Sequence, residues 1–99
     1  MPDFTIDQRT EISNAFSAGN YANAYEGTDI EDFDIEEMPA HERAAFVLGF
    51  FASYEFSEMS GDERATFDEC YWSDAGRAVI AAGYCDDRAD EYTEDAEAL

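Results

Sequence analysis

The sequence predicts an all-α fold, a compact bundle of about four helices with an acidic loop between its first and second halves. Three observations predict it. Apolar residues recur at helical spacing over much of the 99-residue chain. Two capping boxes, and a proline set just before an apolar run, mark helix starts. The chain is also 45% apolar, with 8 Phe, 6 Tyr and 1 Trp, which is too much apolar material for a solvated polyanion and enough to build a core. With no internal repeat and no Pro/Ser-rich linker, residues 1–99 read as a single domain.

Taken in order, Thr5 and Gln8 form a T-x-x-Q capping box that opens a first helix, in which Ile12, Ala15 and Phe16 share one face and Gly19 stands as terminator. Tyr21, Ala22, Ala24 and Tyr25 suggest a further short helical turn before Gly27. From Glu26 to Glu42 the chain carries eight acids and no base, interrupted by Ile30, Phe33, Ile35 and Met38. Their mixed spacing fits neither a clean strand nor a clean helix, so an extended acidic loop pinned by those four side chains is expected. Pro39 suits the first turn of a helix, and Ala40 to Tyr54 is apolar nearly all round, the pattern of a central helix surrounded by others. Gly49 in its middle implies close helix approach, since a glycine there costs about 1 kcal/mol relative to alanine. Ser60 and Glu63 make the second capping box, opening a helix with Ala65, Phe67, Cys70 and Tyr71. Ser73 or Asp74 can cap a last helix, apolar from Arg77 to Tyr84 and continuing past Cys85 as an acidic extension.

Charge decides which functions are possible. Twenty-five Asp and Glu face five Arg, no Lys and one His, for a formal net charge of -20. The arginines stand singly at 9, 43, 64, 77 and 88, so no basic face for nucleic acid or anionic lipid is expected, and nucleic acid is excluded as a direct ligand. The longest apolar stretch, Ala44 to Ala52, has nine residues against the roughly 20 that span a bilayer, so no membrane role is expected. The start Met1-Pro2-Asp3-Phe4 lacks the basic and apolar regions of a signal peptide, which predicts a cytoplasmic protein. Cys70 and Cys85, with fourteen residues between them, have no zinc or redox spacing and read as two semi-buried thiols.

Motifs for chemistry are lacking. His41-Glu42 does not extend to HExxH because position 45 is Ala, and neither acidic run has the D-x-D-x-D-G calcium loop. No Gly-rich phosphate loop, GxSxG or supported Cys–His pair occurs. No enzyme, no cofactor and no metal are therefore expected, and with 25 acids any carboxylate pair of glycosidase type arises by chance.

What the carboxylates can do is present rows of negative charge. Residues three and four apart on a helix lie about 5 to 6 Å apart, close to the phosphate spacing along a strand. Asp87, Asp90, Glu91, Glu94 and Asp95, preceded by Asp86, obey that spacing, and Asp29, Glu31, Asp32, Asp34, Glu36 and Glu37 in the loop supply a second row. B-DNA carries one charge per roughly 1.7 Å, so twenty charges match about 34 Å of duplex. A domain of this length has a radius of gyration of about 13 Å, giving a comparable linear charge density.

In size, charge, absence of Lys and these two acidic runs, Asp29 to Glu37 and Asp86 to Glu97, the chain resembles the small acidic DNA-mimic proteins that phages and mobile elements direct against CRISPR surveillance complexes and restriction enzymes. That resemblance implies a partner that is a basic DNA-binding protein or nucleoprotein complex, whose Arg- and Lys-rich channel the carboxylates occupy in the cytoplasm of the host cell. It leaves monomer and homodimer both open. Two other readings compete. A halophile-adapted cytoplasmic protein explains the charge, but residues 1–25 hold only Asp3, Asp7 and Glu11, whereas a solvation coat would cover every face. An acidic interaction module, such as an antitoxin or adaptor for a basic protein, explains it equally well.

Overall fold

The first helix opens as its capping box requires: Gln8 N–H donates to Thr5 Oγ1 at 3.1 Å and Thr5 N–H to Gln8 Oε1 at 2.9 Å. This geometry comes from a computed structural model, which describes residues 4–24, 30, 33–85, 87–90 and 92. Among them four α-helices set the architecture: α1 (Ile6–Ala24), α2 (Ala40–Phe50), α3 (Gly61–Tyr71) and α4 (Asp74–Ala81), with short 3-10 turns at Ile35–Glu37 and Phe56–Glu58. The all-α class holds, and no strand occurs among the described residues.

Three boundaries differ from those expected, each for a tertiary reason. Gly19 does not end α1; the helix continues through Tyr21 and Ala22 to Ala24 as one element. Gly19 serves the crossing with α2 instead, where a Cβ would overlap the Phe46 carbonyl oxygen and lie 2.8 Å from the Phe50 nitrogen. Helix α2 stops at Phe50 rather than Tyr54. Beyond it, the Phe51 carbonyl accepts from Arg88 Nη1 at 3.0 Å and the Tyr54 carbonyl accepts from Arg88 Nη2, so an arginine from a distant segment holds the chain in a non-helical path. Finally, α4 does not run on past Cys85. Gly83 takes φ of +90°, its N–H donates to Ile80 O at 3.0 Å, and Tyr84 N–H donates to Val79 O at 3.0 Å. That pairing is a Schellman stop, which ends α4 before Cys85.

The other starts match expectation. Pro39 precedes the first residue of α2. Ser60 and Glu63 complete a capping box on α3, with bonds of 3.2 and 2.8 Å. At the α3–α4 corner Ser73 Oγ accepts from Gly76 N–H at 2.9 Å and donates to the Cys70 carbonyl at 2.7 Å, so one hydroxyl closes one helix and opens the next. Ser73→Ala removes both bonds and is expected to cost about 1–2 kcal/mol. For a domain of this size each kcal/mol lowers the melting temperature by about 4–8 °C. A circular-dichroism melt superimposable on wild type would refute that corner.

Helix α2 forms the centre. Every residue from Ala44 to Phe51 is buried, as the all-round apolar pattern requires. Helix α1 lies along it through Ile12, Phe16 and Ala22, and Phe67, Tyr71 and Val79 close the core from α3 and α4. No charged residue is buried among the described residues, and their radius of gyration is 13.1 Å, with extents of 41 × 32 × 19 Å. The acids thus line the outside of a thin, elongated body.

Candidate functional site

The acidic segment before α2 is anchored as its apolar residues predict. Ile30 is buried, and Phe33 sets its ring 5.1 Å from Phe46 and 6.4 Å from Phe50. Ile35 and Met38 also rest on the core. Between these anchors the backbone tightens into a 3-10 turn, with Glu37 N–H donating to Asp34 O and Met38 N–H to Ile35 O. Where an extended loop was expected, the described portion is therefore a turn with its apolar side chains inward. Asp34, Glu36 and Glu37 are left exposed on the other side. A cavity of about 520 Å³ lies at this turn, its floor formed by Ile30, Phe33 and Ile35 and its rim by the three carboxylates and Thr66. Such a cleft suits a long basic side chain, because the aliphatic stem can lie on the apolar floor while the charged head meets carboxylates. Asp29, Glu31 and Asp32 lie outside the described residues.

Of the second acidic run, Asp87 and Asp90 are described and both are exposed, whereas Asp86, Glu91, Glu94 and Asp95 lie outside the described residues. Because α4 ends at the Gly83 stop, Asp87 and Asp90 belong to a separate segment rather than to the edge of α4. Asp87 has a fastening role. It accepts from Tyr71 Oη at 2.5 Å and from Ala89 N–H at 3.1 Å, and it pairs with Arg77 at 3.8 Å. The tyrosine hydrogen bond, with the Ala89 amide and Arg77 adding to it, holds its carboxyl below the ordinary aspartate range. Asp87 and Asp90 also edge a cavity of about 330 Å³ whose wall includes Phe16, Leu48 and Phe67.

The arginines do something their sequence positions do not reveal. Arg64 lies over Phe56 at 4.0 Å and Tyr92 at 5.2 Å, Arg77 over Tyr71 at 5.0 Å and Trp72 at 5.6 Å, and Arg88 over Phe56 at 4.7 Å and Phe67 at 5.1 Å. Three of the five positive charges are thus turned onto aromatic faces, where the ring quadrupole offsets their lost hydration. For Arg77 that compensation is direct, since its Nη1 is buried with no hydrogen-bond partner. Tyr92 completes the cluster: its hydroxyl donates to Asp68 Oδ1 at 2.6 Å, and its ring stands 4.8 Å from Phe56 and 4.7 Å from Tyr71. The i,i+4 spacing of Arg64 and Asp68 was the one local signal of this arrangement, and the pair forms at 3.0 Å.

His41 meets Phe4 edge-on at 4.9 Å. Cys70 and Cys85 are buried thiols that form no disulfide, and burial, partly opposed by Arg43, pushes the Cys70 thiol up to about 11. Among the described residues no three His, Cys, Asp or Glu side chains converge as a metal ion would require, and no helix is long and apolar enough to cross a membrane. No protein-family model, curated protein or solved structure matches the chain.

Proposed function

We propose that the chain is a DNA-mimic inhibitor that occupies the positively charged DNA-binding channel of a host defence complex, a CRISPR surveillance complex first and a restriction enzyme next, and thereby blocks target DNA. The observation that carries this reading is the opposite treatment of the two charge signs. Asp34, Glu36 and Glu37 are held outward on a turn fastened by Phe33, Ile35 and Met38, while Arg64, Arg77 and Arg88 are drawn onto aromatic rings. Solubility alone needs no anchored acids. Competition for a channel does, because a preorganised array loses less entropy on docking than a floating tail. Long-range attraction to a basic cleft also speeds encounter and weakens with salt.

The reading is tested by competition with duplex DNA for a purified surveillance complex or restriction enzyme. The protein is expected to displace the duplex, and binding of both at once overturns the proposal. Charge reversal of Asp34, Glu36 and Glu37 to Lys is expected to weaken the complex by about 100-fold or more, against less than about 10-fold for the same reversal at Asp3, Asp7 and Glu11. Equal losses would mean that total charge alone matters and that the anchored turn is not the contact.

A further inference from the structure

Trp72, the single tryptophan, is 56% exposed at the end of α3, although the aromatic-rich segments read as core in the sequence. It is also braced by its neighbours. Tyr71 and Tyr92 stand against it at 4.8 and 4.9 Å, and Arg77 covers part of its face. Around it the charge pattern of the molecule changes. Arg43 pairs with Glu69 at 3.7 Å, Arg64 with Asp68 at 3.0 Å and Arg77 with Asp87 at 3.8 Å. These pairs all involve α3 itself or the segment bonded to Tyr71 at its end. The described residues hold fifteen acids and five arginines, whereas these three pairs match the two signs one to one, with exposed Asp74 as the further acid near Trp72.

We propose that this arginine-paired face, centred on Trp72 and the most nearly charge-matched of the described surface, is where a second copy of the chain docks in a two-fold arrangement. The physical argument is one of elimination by charge. Two chains of -20 repel on every acidic face, and high net charge normally keeps a protein monomeric. Close apposition is permitted only where carboxylates are already matched by arginines, and this face carries those matches together with a large exposed indole. Trp, Tyr and Arg are the side chains that anchor interfaces, and a ring fixed before docking loses little rotamer entropy. A two-fold contact places the same patch on both partners, so each arginine–carboxylate pair can rearrange across the seam without creating an unmatched charge.

The test is sedimentation velocity on the whole chain over a range of NaCl and protein concentrations. Self-association is expected to strengthen as salt rises, because screening removes the repulsion between the two bodies. Binding to a basic partner responds to salt with the opposite sign, so this dimer stands or falls independently of the inhibitor reading. Trp72 emission should shift to the blue on association. Trp72→Glu is expected to weaken self-association by about 100-fold while the helical circular-dichroism signal is retained, whereas Ile6→Glu, at a more exposed site on α1, leaves self-association intact. A monomer at every salt concentration up to about 1 M, where the screening length is about 3 Å, overturns the proposal, as does a dimer that Trp72→Glu leaves unchanged.

Discussion

Gly49→Ala is expected to destabilise the fold by about 2–4 kcal/mol, although helix propensity alone predicts a gain of about 1 kcal/mol. The two effects have opposite signs, so the measurement decides between them. A Cβ on Gly49 would overlap the carbonyl oxygen of Phe16 and lie 3.2 Å from that residue's Cδ2 atom, while a Cβ on Gly19 would overlap the Phe46 carbonyl. Each glycine is thus the notch that receives the backbone of the other helix. A backbone carbonyl inside a regular helix cannot rotate aside as a side chain can, so α1 and α2 must separate, and the packing around Ile12, Phe46 and Phe50 loosens with them. Gly19→Ala is expected to cost a similar amount. The double variant should lose less than the sum, because helices already pushed apart by one methyl meet the second at lower cost. Gly61→Ala is the control: nothing lies within 4 Å of a Cβ there, and alanine at the start of α3 should be neutral or mildly stabilising. Urea unfolding followed by circular dichroism reads all four variants. A stabilised Gly49→Ala protein would mean that the helices do not cross where these contacts put them. Set against a typical total of about 5–15 kcal/mol, the expected loss is a large share of the stability of so small a domain.

That crossing also marks the limit of what periodicity can convey. Gly49 was legible because a glycine inside an otherwise apolar helix has a cost that only close packing offsets. Gly19, set between Ala18 and the polar Asn20 on a less apolar helix, carries the same role but reads as a stop. Local signals succeeded where the determinant is local: Thr5 with Gln8, Ser60 with Glu63, and Ser73 before α4 all cap as their side chains allow. They failed at Tyr54 and Cys85, where the deciding bonds come from Arg88, more than thirty residues from the first, and from the αL backbone of Gly83. The acidic turn was legible in part, because Phe33, Ile35 and Met38 stand out among acids as anchors. The aromatic–arginine cluster was not. Its members, Phe56, Arg64, Tyr71, Arg77, Arg88 and Tyr92, meet only through tertiary structure, and no spacing rule links residues of four separate segments.

The same cluster, with Cys70 beside it, sets the expected response to alkali, which is a loss of stability that begins near pH 9 and steepens above pH 10. Burial first, and then the hydrogen bond to Asp68, raises the Tyr92 hydroxyl above its ordinary value of 10.0. Burial, with the hydrogen bond to Asp87 second, does the same for Tyr71. Cys70 is pushed from 9.0 up to about 11, again by burial. In each case the folded chain keeps a proton that the unfolded chain gives up. Below these ordinary values both states are protonated and the contribution to stability is complete; as pH rises past them the unfolded state binds fewer protons, and stability falls. Each group contributes a slope of at most about 1.4 kcal/mol per pH unit, and Cys70 ceases to contribute as pH passes its folded value of about 11. The loss also feeds on itself, since every tyrosinate formed adds to a charge that is already -20. Tyrosine absorbance at 295 nm and circular dichroism, titrated in parallel, check this: part of the tyrosine signal should appear only in step with loss of helix. Tyr92→Phe removes one of the three groups and is expected to make the alkaline loss shallower, while Tyr21→Phe, on an exposed stretch of α1, should not. If all the tyrosine signal appears before the helix is lost, the hydroxyls of Tyr71 and Tyr92 do not fasten the terminal segment to α3. Arg64, Arg77 and Arg88 would then be free to join the exposed surface, and the contrast of outward acids and inward arginines would not hold.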